Sequence, residues 1–278
     1  MKTRTNHVLR KRAAGETAMG INVQTASAEN VEMAGAAAYD FVVIDCEHGT
    51  TYIDHLTEML RAADSVDISA IVRVPGHDPL FIMRALDAGA MGVIVPNIAT
   101  REQAHAAVAA AKYRSAEAGY GSFGQRGACP STRANWHLAA DWPAFARWSN
   151  EQTSVWLLIE SIDGANAIDE ILEVPGIGAI VPGPFDLAQS MGLQGDVWNP
   201  RVVDVLRTIV AKASAKGIDT VAVLLASDAT SLAKEVAFWK DAGITTYWVG
   251  GDRRLFSMAL RQRMGQVQAS LFASQPPR

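Results

Sequence analysis

The segment PLFIMRALDAGAMGVIV, residues 79–95, contains one complete helix-to-strand unit of the predicted fold. Residues 79–88 carry apolar side chains at the spacing that predicts an amphipathic helix. Gly89 follows directly, where a left-handed C-cap belongs, and residues 92–95 form a β-branched run of strand length. The segment therefore predicts a helix that leads at once into a buried strand.

The same alternation of helical and strand patterns recurs along the chain. Gly217 and Gly243 also stand just past a helical pattern and just before a strand pattern. Short apolar runs predict eight strands, at residues 19–23, 41–44, 70–74, 92–95, 155–159, 179–181, 220–225 and 245–249. Helical patterns fill most intervals, for example at residues 52–63, 79–88, 101–112, 166–173, 200–216 and 229–242.

Eight strands of this kind predict a closed parallel (β/α)8 barrel, the TIM barrel fold. The runs lack the strict polar alternation of half-exposed strands, so both faces of the sheet are predicted to be buried. Eight βα units in about 250 residues are typical of the barrel. An open doubly wound sheet is the alternative, but no G-x-G-x-x-G motif follows the first strand.

The composition is that of one globular domain over residues 1–278. The chain is 49% hydrophobic and 19% charged, which allows one large core. Its 25 Lys and Arg residues against 29 Asp and Glu residues leave a net charge of −4, which argues against nucleic-acid binding. No apolar stretch is long enough to predict a membrane span. Cys46 and Cys129 make no disulfide framework, so a cytoplasmic protein is predicted.

One long connection interrupts the alternation, at residues 113–153. It contains three tryptophans, Trp136, Trp142 and Trp148, and a run rich in glycine before them. Long connections on barrels tend to carry function, so we predict an active-site lid or a contact between subunits. The tryptophans are expected to pack rather than to stack on bases, because no basic stripe accompanies them.

Chemically active residues follow the predicted strands. In barrel enzymes the catalytic groups come from the carboxyl ends of the strands, which meet at one rim. At these ends the sequence has Asp45-Cys46-Glu47-His48-Gly49, Arg73, Pro96-Asn97, Glu160, Gly183-Pro184-Phe185-Asp186-Leu187 and Gly250-Gly251-Asp252. We therefore predict that carboxylates, a histidine and an arginine converge on one site.

Glu160 and Asp186 end adjacent predicted strands and are candidate metal ligands. Two carboxylates with room for water and substrate suit Mg²⁺ or Mn²⁺. Helix capping is the alternative for each of them. The turn at residues 183–186 enters a helical pattern, so its amides could hold a carboxylate or phosphate, although a plain strand-to-helix turn looks similar.

His48 and Arg73 are the candidate base and the candidate anion contact. Imidazole titrates near neutrality, and acidic neighbours flank His48; a solvent-facing loop histidine is the alternative. Arg73 emerges from an apolar run and needs a partner, either an anionic substrate or a strand-end carboxylate. Arg126 in the long connection is either a second contact for a substrate anion or a solvated loop charge.

These motifs together resemble the HpcH/HpaI aldolase family, the metal-dependent class II pyruvate aldolases. They occur in the family's order over nearly the whole chain. The matching stretches are DFVVIDCEH at 40–48, IVRVP at 71–75, LDAGAMGVIVP at 86–96, Ile159-Glu160 and GPFDLA at 183–188. The resemblance implies a modified TIM barrel, a homohexamer built as a trimer of dimers, and a C-terminal helix exchanged between subunits.

The resemblance also implies the metal ligands and the base. Glu160 and Asp186 would bind the divalent metal, Mg²⁺ or Mn²⁺ with Co²⁺ also possible. His48 would be the base, acting through or beside a metal-bound water that Asp45 holds. Asp87 matches the family carboxylate that orients this histidine.

The substrate contacts come from the same resemblance. Arg73 would contact the keto oxygen of pyruvate and stabilise its enolate. Many members carry a glutamine that touches substrate two residues before the metal glutamate, whereas this chain has Leu158. The pyruvate carboxylate would be bound at the turn formed by Gly183, Pro184, Phe185 and Asp186, through the amides of the last two.

The predicted function is a divalent-metal-dependent carbon–carbon lyase. It would cleave a 4-hydroxy-2-oxo acid into an aldehyde and pyruvate, or a close 2-oxo acid, through a metal-stabilised enolate. No lysine is placed at a central strand end to form a Schiff base. The alternatives are citrate-synthase-like or acyl-CoA lyase chemistry on the same site, and a catalytically silent oxo-acid-binding barrel.

Overall fold

The computed structural model describes residues 4–115 and 122–272, and its eight parallel strands close into a barrel in chain order. Each strand pairs with the next one along the chain, and the last pairs back onto the first. The strands are β1 (Ala18–Val23), β2 (Phe41–Asp45), β3 (Ser69–Arg73), β4 (Gly92–Val95), β5 (Ser154–Ile159), β6 (Ala179–Pro182), β7 (Asp219–Leu224) and β8 (Thr246–Gly251). The predicted (β/α)8 barrel is confirmed, and the open sheet is excluded.

Helices surround the barrel and connect its strands. They are α1 (His7–Ala13), α2 (Ala28–Ala36), α3 (Ile53–Ser65), α4 (Pro79–Asp87), α5 (Arg101–Ala111), α6 (Trp142–Gln152), α7 (Ile162–Asn166), α8 (Ile168–Ile171), α9 (Pro184–Ser190), α10 (Pro200–Ala215), α11 (Ala229–Asp241) and α12 (Asp252–Phe272). The helix predicted at residues 166–173 is in fact two short helices, α7 and α8. Within the described ranges, no helix combines the length and the hydropathy that a bilayer crossing requires.

The glycines between helix and strand have the backbone conformation that their positions predict. Gly89, Gly217 and Gly243 have φ angles of +108°, +68° and +81°. This left-handed region is strained for residues with a Cβ atom, so glycine ends these helices at little cost and lets the chain turn into the next strand.

Alternate strand residues point into the barrel, and the same alternation places the chemical groups at its rim. On β2, Phe41 and Val43 are part of the interior cluster, and Asp45 is the next residue of that inward row. On β5, Leu158 belongs to the interior cluster, and Glu160 is the next inward position, just past the strand end. The barrel core therefore changes from apolar to charged at the carboxyl ends of its strands.

The described part of the connection at residues 113–153 lies away from this rim, so the predicted active-site lid is wrong, and a contact between subunits stays a prediction. The connection runs from a helix to a strand, and such connections lie at the amino ends of barrel strands. In its described part, Arg126 donates a hydrogen bond of 2.7 Å to Asp87 and Arg133 donates one of 2.7 Å to the carbonyl of Ala88. Both partners lie just before β4, on the face opposite the charged rim.

Two of the three tryptophans of this connection, Trp142 and Trp148, pack into a small core of their own. The ring of Trp136 lies instead against the guanidinium of Arg4, at 4.3 Å. Trp142 lies against Tyr113 and Phe145, and Phe145 also contacts Trp148. This aromatic cluster holds α6 beside the barrel. It supplies none of the described residues that line the cavity at the rim.

Helix α12 leaves the barrel instead of covering it. None of its side chains is buried in the single chain. Its exposed apolar residues are Leu255, Phe256, Leu260, Met264, Val267, Leu271 and Phe272. The outer face of β8 and β1 beside α11 is an open apolar groove of about 520 Å³, whose lining includes Met19, Leu232, Val236, Tyr247 and Val249.

Candidate active site

Asp45 and Arg73 form the central ion pair of the rim. They end neighbouring strands and are register partners in the sheet. The guanidinium donates to both carboxylate oxygens, with Nε 2.9 Å from Oδ1 and Nη2 on Oδ2. Burial raises the pKa of Asp45, but the hydrogen bonds and charge of Arg73 outweigh it, so the pKa lies below its ordinary value. Asp45 is therefore a permanent carboxylate at neutral pH.

The carboxylate of Asp45 has more donors than it has lone pairs. Besides Arg73, the side-chain amides of Asn22 (3.1 Å) and Gln24 (3.3 Å) donate to Oδ2. The backbone N–H groups of Glu47 and His48 donate to Oδ1, each at 3.1 Å. A carboxylate offers about four acceptor sites, so none remains for the water that Asp45 was expected to hold. In this structure Asp45 instead positions Arg73 and the loop that carries His48.

Glu47 and His48 follow Asp45 in this loop. Glu47 Oε2 lies 3.2 Å from Nη1 of Arg73 and 4.0 Å from Nε2 of His48. Burial raises the pKa of Glu47, and the neighbouring carboxylates Asp45 and Asp186 add to the rise. The His48 side chain is 65% exposed, so its ring reaches the open side of the rim while its backbone is tied to Asp45.

Glu160 is buried at the rim, across the site from this loop. Its Oε1 accepts a 2.8 Å hydrogen bond from the backbone N–H of Asn97, a residue held at a φ of +52°. Burial raises the pKa of Glu160 to about 7, and the charges of Glu47 and Asp186 act in the same direction. Strongly shifted pKa values of groups in a cleft are typical of functional sites, so Glu160 is a candidate functional residue.

The turn after β6 places Asp186 near Glu160 and leaves two amides available. Gly183 lies so close to Glu160 that an added Cβ would be 2.7 Å from the glutamate Cβ. Helix α9 begins at Pro184 without a side-chain cap, so the N–H groups of Phe185 and Asp186 have no acceptor within the helix. Phe185 and Asp186 are exposed and lie at the cavity on the rim.

Arg73, Glu160 and the turn after β6 border one cavity of about 240 Å³ at the carboxyl ends of the strands. Asp45, Glu47 and His48 lie beside it and are not part of its lining. Its lining includes Asn22, Gln24, Arg73, Leu158, Glu160, Gly183, Pro184, Phe185, Asp186, Trp248 and Arg254. Trp248 forms one wall, and its ring lies 5.4 Å from the guanidinium carbon of Arg73. Leu158 makes the wall apolar where many relatives were expected to have a glutamine. The cavity therefore combines an apolar wall with a rim of charge.

The acidic groups at this cavity fit a divalent cation. Burial is the main cause of the high pKa of Glu160, and the charges of Glu47 and Asp186 add to it. Within residues 4–115 and 122–272, no three side chains of the usual metal-binding types are arranged as a complete ligand set. Mg²⁺ commonly binds one or two carboxylates and takes its other ligands from water and substrate, so the pair Glu160 and Asp186 is compatible with a Mg²⁺ site.

The structure brings most of the predicted residues together and leaves two apart. Asp87 does not contact His48; it lies at the end of α4 and is paired with Arg126. Arg126 is neither solvated nor at the substrate cavity, because its side chain is 1% exposed and its guanidinium also stacks on Tyr113 at 4.4 Å. Within the described residues of one chain, no contact between Asp87 and His48 supports the prediction that Asp87 orients His48.

Three polar lining residues, Asn22, Gln24 and Arg254, were not among the predicted site residues. Asn22 and Gln24 lie at the carboxyl end of β1, so the rule applied to the other strands would have found them. Arg254 lies in the first turn of α12, beyond the last strand, and its sequence context gives no comparable signal. Their part in the site depends on contacts with residues far away in the chain.

Charged side chains gathered at the carboxyl ends of barrel strands are typical of (β/α)8 barrel enzymes, and comparison with known proteins gives the family. The family model HpcH/HpaI aldolase/citrate lyase matches residues 19–249. The chain therefore belongs to the HpcH/HpaI aldolase/citrate lyase family.

Two relatives are themselves aldolases. A 4-hydroxy-2-oxovalerate aldolase from Novosphingobium aromaticivorans is 33% identical over 223 residues, which cover 78% of this chain and 81% of the relative. A pyruvate aldolase from Rhizobium etli is 29% identical over 274 residues, which cover 99% of this chain and 100% of the relative. The similarity thus extends over nearly the full length.

Solved structures agree with the family. An HpcH/HpaI aldolase/citrate lyase family protein from Burkholderia cenocepacia has a TM-score of 0.85 at 28% identity, covering 95% of this chain and 100% of that one. The citrate synthase SbnG has a TM-score of 0.82 at 28% identity, covering 94% and 97%. A citrate lyase beta subunit from M. tuberculosis, solved with oxaloacetate and magnesium, shares the fold at a TM-score of 0.55 and 19% identity, covering 85% and 92%.

Proposed function

We propose that this protein is a divalent-metal-dependent aldolase that cleaves a 4-hydroxy-2-oxo acid into an aldehyde and pyruvate, or a close 2-oxo acid. The observation that carries the proposal is the convergence of Arg73, Glu160 and Asp186 on one cavity at the carboxyl ends of the strands. Aldolase relatives at 33% and 29% identity support the reaction class.

Glu160 and Asp186 would hold Mg²⁺, Mn²⁺ or Co²⁺. When bound there, the cation supplies Lewis-acid stabilisation of the charge that develops on the keto oxygen of the substrate. A cation bound there would offset the charges of Glu47 and Asp186, which add to burial in raising the pKa of Glu160 to about 7.

Arg73 supplies a fixed positive charge to the same oxygen. Its guanidinium is held rigidly by Asp45 and lies against Trp248, so little reorganisation is needed as the enolate forms. The free N–H groups of Phe185 and Asp186 would bind the substrate carboxylate. The keto oxygen and the carboxylate of the oxo acid would thus be held by different groups. These two contacts would fix the orientation of the carbonyl group relative to the C3–C4 bond that breaks.

His48 is the group that would move the proton. In the cleavage direction it takes the proton from the 4-hydroxyl group, the C3–C4 bond breaks, and the bonding electrons pass to the keto oxygen as the enolate forms. The aldehyde leaves, and protonation of C3 completes pyruvate. Glu47 Oε2 lies 4.0 Å from the ring Nε2, so a carboxylate stands beside the imidazole that carries the proton after the transfer.

The second candidate is a citrate-synthase-like reaction on the same enolate site. The likeness to citrate synthase SbnG, at a TM-score of 0.82, favours it over acyl-CoA lyase chemistry and over a catalytically silent barrel. Such an enzyme would join a carbon nucleophile to the keto carbon of an oxo diacid. It would therefore release no pyruvate from a 4-hydroxy-2-oxo acid.

The experiment is a cleavage assay on 4-hydroxy-2-oxopentanoate, with pyruvate detected by lactate dehydrogenase and NADH. The protein is stripped of metal and then assayed with and without Mg²⁺, Mn²⁺ or Co²⁺. We expect pyruvate release that depends on added metal. Equal release without metal would contradict the class II mechanism, and the absence of cleavage across a panel of 4-hydroxy-2-oxo acids would favour the citrate-forming reaction.

The proposal includes a homo-oligomer in which α12 of one copy covers the apolar groove of another. The groove beside β8 and β1 and the exposed apolar side chains of α12 are complementary in character, and neither is covered by any of the residues 4–115 and 122–272. Light scattering after gel filtration should give a multiple of 29.8 kDa, with a hexamer expected. The double variant Phe256→Glu, Leu260→Glu should give a smaller assembly, and a monomeric wild-type protein would contradict the interface.

A further inference from the structure

Two buried tryptophans of the barrel interior, Trp156 on β5 and Trp248 on β8, differ in how their indole N–H groups are paired. Nε1 of Trp156 donates a hydrogen bond of 2.8 Å to Oγ of Ser154. Nε1 of Trp248 has no hydrogen-bond partner among residues 4–115 and 122–272. Buried N–H groups are normally paired, so an unpaired one in the interior marks a place where a ligand or water can bind.

The unpaired N–H group of Trp248 faces the cavity at the rim. The residue is 5% exposed, so nearly all of its surface is packed inside the barrel. Its Nε1 nevertheless does not belong to the fully enclosed unpaired atoms, such as Oδ1 of Asn22, and therefore keeps accessible surface. The open space that Trp248 lines is the cavity of about 240 Å³. The chain thus turns a hydrogen-bond donor on a packed ring toward the bound substrate.

Arg73 lies beside this donor, with its guanidinium carbon 5.4 Å from the centre of the Trp248 ring. The Nε and Nη2 atoms of Arg73 donate to Asp45, and its Nη1 lies 3.2 Å from Oε2 of Glu47. Much of the hydrogen-bonding capacity of Arg73 is therefore directed at these two carboxylates. Arg73 brings a positive charge to the cavity, and a second donor beside it adds a hydrogen bond that the guanidinium has largely given to its own partners.

Leu158 makes the wall next to Glu160 apolar. A Cβ atom added at Gly183 would lie 3.4 Å from Cδ1 of Leu158 and 3.2 Å from Oε2 of Glu160, so the leucine and the glutamate carboxylate approach the same point. The side chain of Leu158 has no hydrogen-bonding group. An oxo acid bound beside Glu160 therefore receives no hydrogen bond from this side chain, and donors to its keto oxygen must come from another wall of the cavity.

We propose that the indole N–H group of Trp248 donates a hydrogen bond to the keto oxygen of the bound oxo acid, beside Arg73, and stabilises the enolate. Negative charge grows on this oxygen as the enolate forms, so the hydrogen bond is stronger in the transition state than in the bound substrate. The indole nitrogen only donates, and its proton stays in place throughout the reaction. This inference rests on the proposed aldolase function and adds a catalytic residue to its site.

Trp248→Phe keeps an aromatic ring and removes the donor. We expect the saturating rate of pyruvate methyl proton exchange in heavy water, with Mg²⁺ present, to fall by about tenfold to a hundredfold, the usual effect of losing one hydrogen bond to a charged oxygen. The half-saturating pyruvate concentration and the Mg²⁺ affinity should change little, because the lost hydrogen bond acts mainly on the enolate. Trp239→Phe, at a buried tryptophan outside the cavity, is the matched control and should exchange at the wild-type rate.

A second measurement uses the wild-type protein and needs no activity. The seven tryptophans are labelled with ¹⁵N at the indole nitrogen, and their signals are assigned from single Trp→Phe variants, with elimination assigning Trp248 if its own variant does not fold. Oxamate, a pyruvate analogue that cannot form an enolate, is added with Mg²⁺ to saturation measured by calorimetry. We expect the indole proton of Trp248 to shift downfield and that of Trp239 to stay. An unchanged Trp248 signal with oxamate bound would overturn the inference.

The exchange rates also separate this inference from the function beneath it. Exchange needs the oxo-acid site and no aldehyde, so it reports on the enolate alone. If wild-type protein and Trp248→Phe exchange methyl protons equally fast with metal, the hydrogen bond to the keto oxygen is wrong and the aldolase function stands. If wild-type protein shows no exchange with metal, the proposed function fails, and the role of Trp248 in stabilising the enolate fails with it.

Discussion

Asp45 and Arg73 are register partners on β2 and β3, so the pairing of two strands also brings a buried carboxylate and a guanidinium into a two-pronged ion pair. The pairing of β2 with β3 thus fixes the position of the Arg73 guanidinium. Asp45 also accepts hydrogen bonds from Asn22 in β1 and from the loop after β2, so residues of three neighbouring strands meet at this carboxylate. In this account Asp45 is a positioning residue, and Arg73 acts on the substrate.

Arg73→Lys keeps the charge and loses the planar fork. Lysine cannot donate to both oxygens of Asp45 in the same geometry, so its ammonium group would sit less rigidly beside the enolate oxygen. We expect turnover to fall by about a hundredfold to a thousandfold, as on removal of one donor to a developing oxyanion. Steady-state cleavage rates measure this effect. The control is Arg201→Lys, a change at an exposed arginine of α10 that lies outside the cavity. Wild-type cleavage rates in Arg73→Lys would show that Arg73 takes no part in the mechanism.

His48→Ala and Glu160→Ala should separate the base from the metal site. Loss of the imidazole should lower turnover by about 10²–10⁴-fold and leave Mn²⁺ affinity nearly unchanged, because His48 is not a proposed ligand. Glu160→Ala should lose both. Turnover and calorimetric Mn²⁺ titration are measured on each variant. Unchanged turnover in His48→Ala would refute the assignment of the base.

Gly183→Ala tests the close approach of β6 to Glu160. The new Cβ would lie 2.7 Å from the Cβ of Glu160, a distance that real side chains do not tolerate, so the glutamate must move. We expect Mn²⁺ affinity to weaken by about 10–100-fold, the usual effect of disturbing a ligand's support. Gly76→Ala meets no atom within 4 Å and serves as the control. Equal Mn²⁺ affinities in Gly183→Ala and Gly76→Ala would show that the close approach of Gly183 to Glu160 does not matter for metal binding.

The pKa of Glu160 predicts how metal and pH act together on stability. A carboxyl pKa raised to about 7 in the folded protein stabilises the metal-free fold at low pH, and that contribution is lost as the pH rises through about 7. A cation binds the ionised form. The gain in Tm from saturating Mg²⁺ should therefore be larger at pH 8 than at pH 5.5.

Thermal unfolding of metal-stripped protein with and without Mg²⁺ measures this difference. Glu160→Gln cannot ionise, so its Tm should respond little to Mg²⁺ at either pH. A wild-type gain that is the same at pH 5.5 and pH 8 would contradict the role of Glu160 as the titrating ligand.

The barrel and most of its rim could be predicted because one local rule repeats. Short apolar strands with period-two side-chain direction predict the closed sheet, and the next inward position after each apolar row is the site position. Asp45, Arg73 and Glu160 all follow this rule. Their charges make them conspicuous in the sequence, because a charge directly after a buried strand needs a partner.

The rest depends on geometry that the local pattern does not contain. The described part of the connection at 113–153 lies at the opposite face because it leads from a helix to a strand, and its length alone does not reveal this. Asp87 is paired with Arg126, 39 residues away in the chain. Asn22 carries an uncharged amide, so the sequence pattern does not reveal that it donates a hydrogen bond to Asp45 on the neighbouring strand.

Proton exchange at the methyl group of pyruvate tests the central claim most directly. Metal-stripped protein is incubated with pyruvate in heavy water, with and without Mn²⁺ or Mg²⁺, and the methyl signal is followed by NMR. The account predicts exchange only when the metal is present, and none for Glu160→Ala. Exchange that is equally fast without metal, or no exchange at all despite bound metal, would contradict metal-assisted enolate formation at this site.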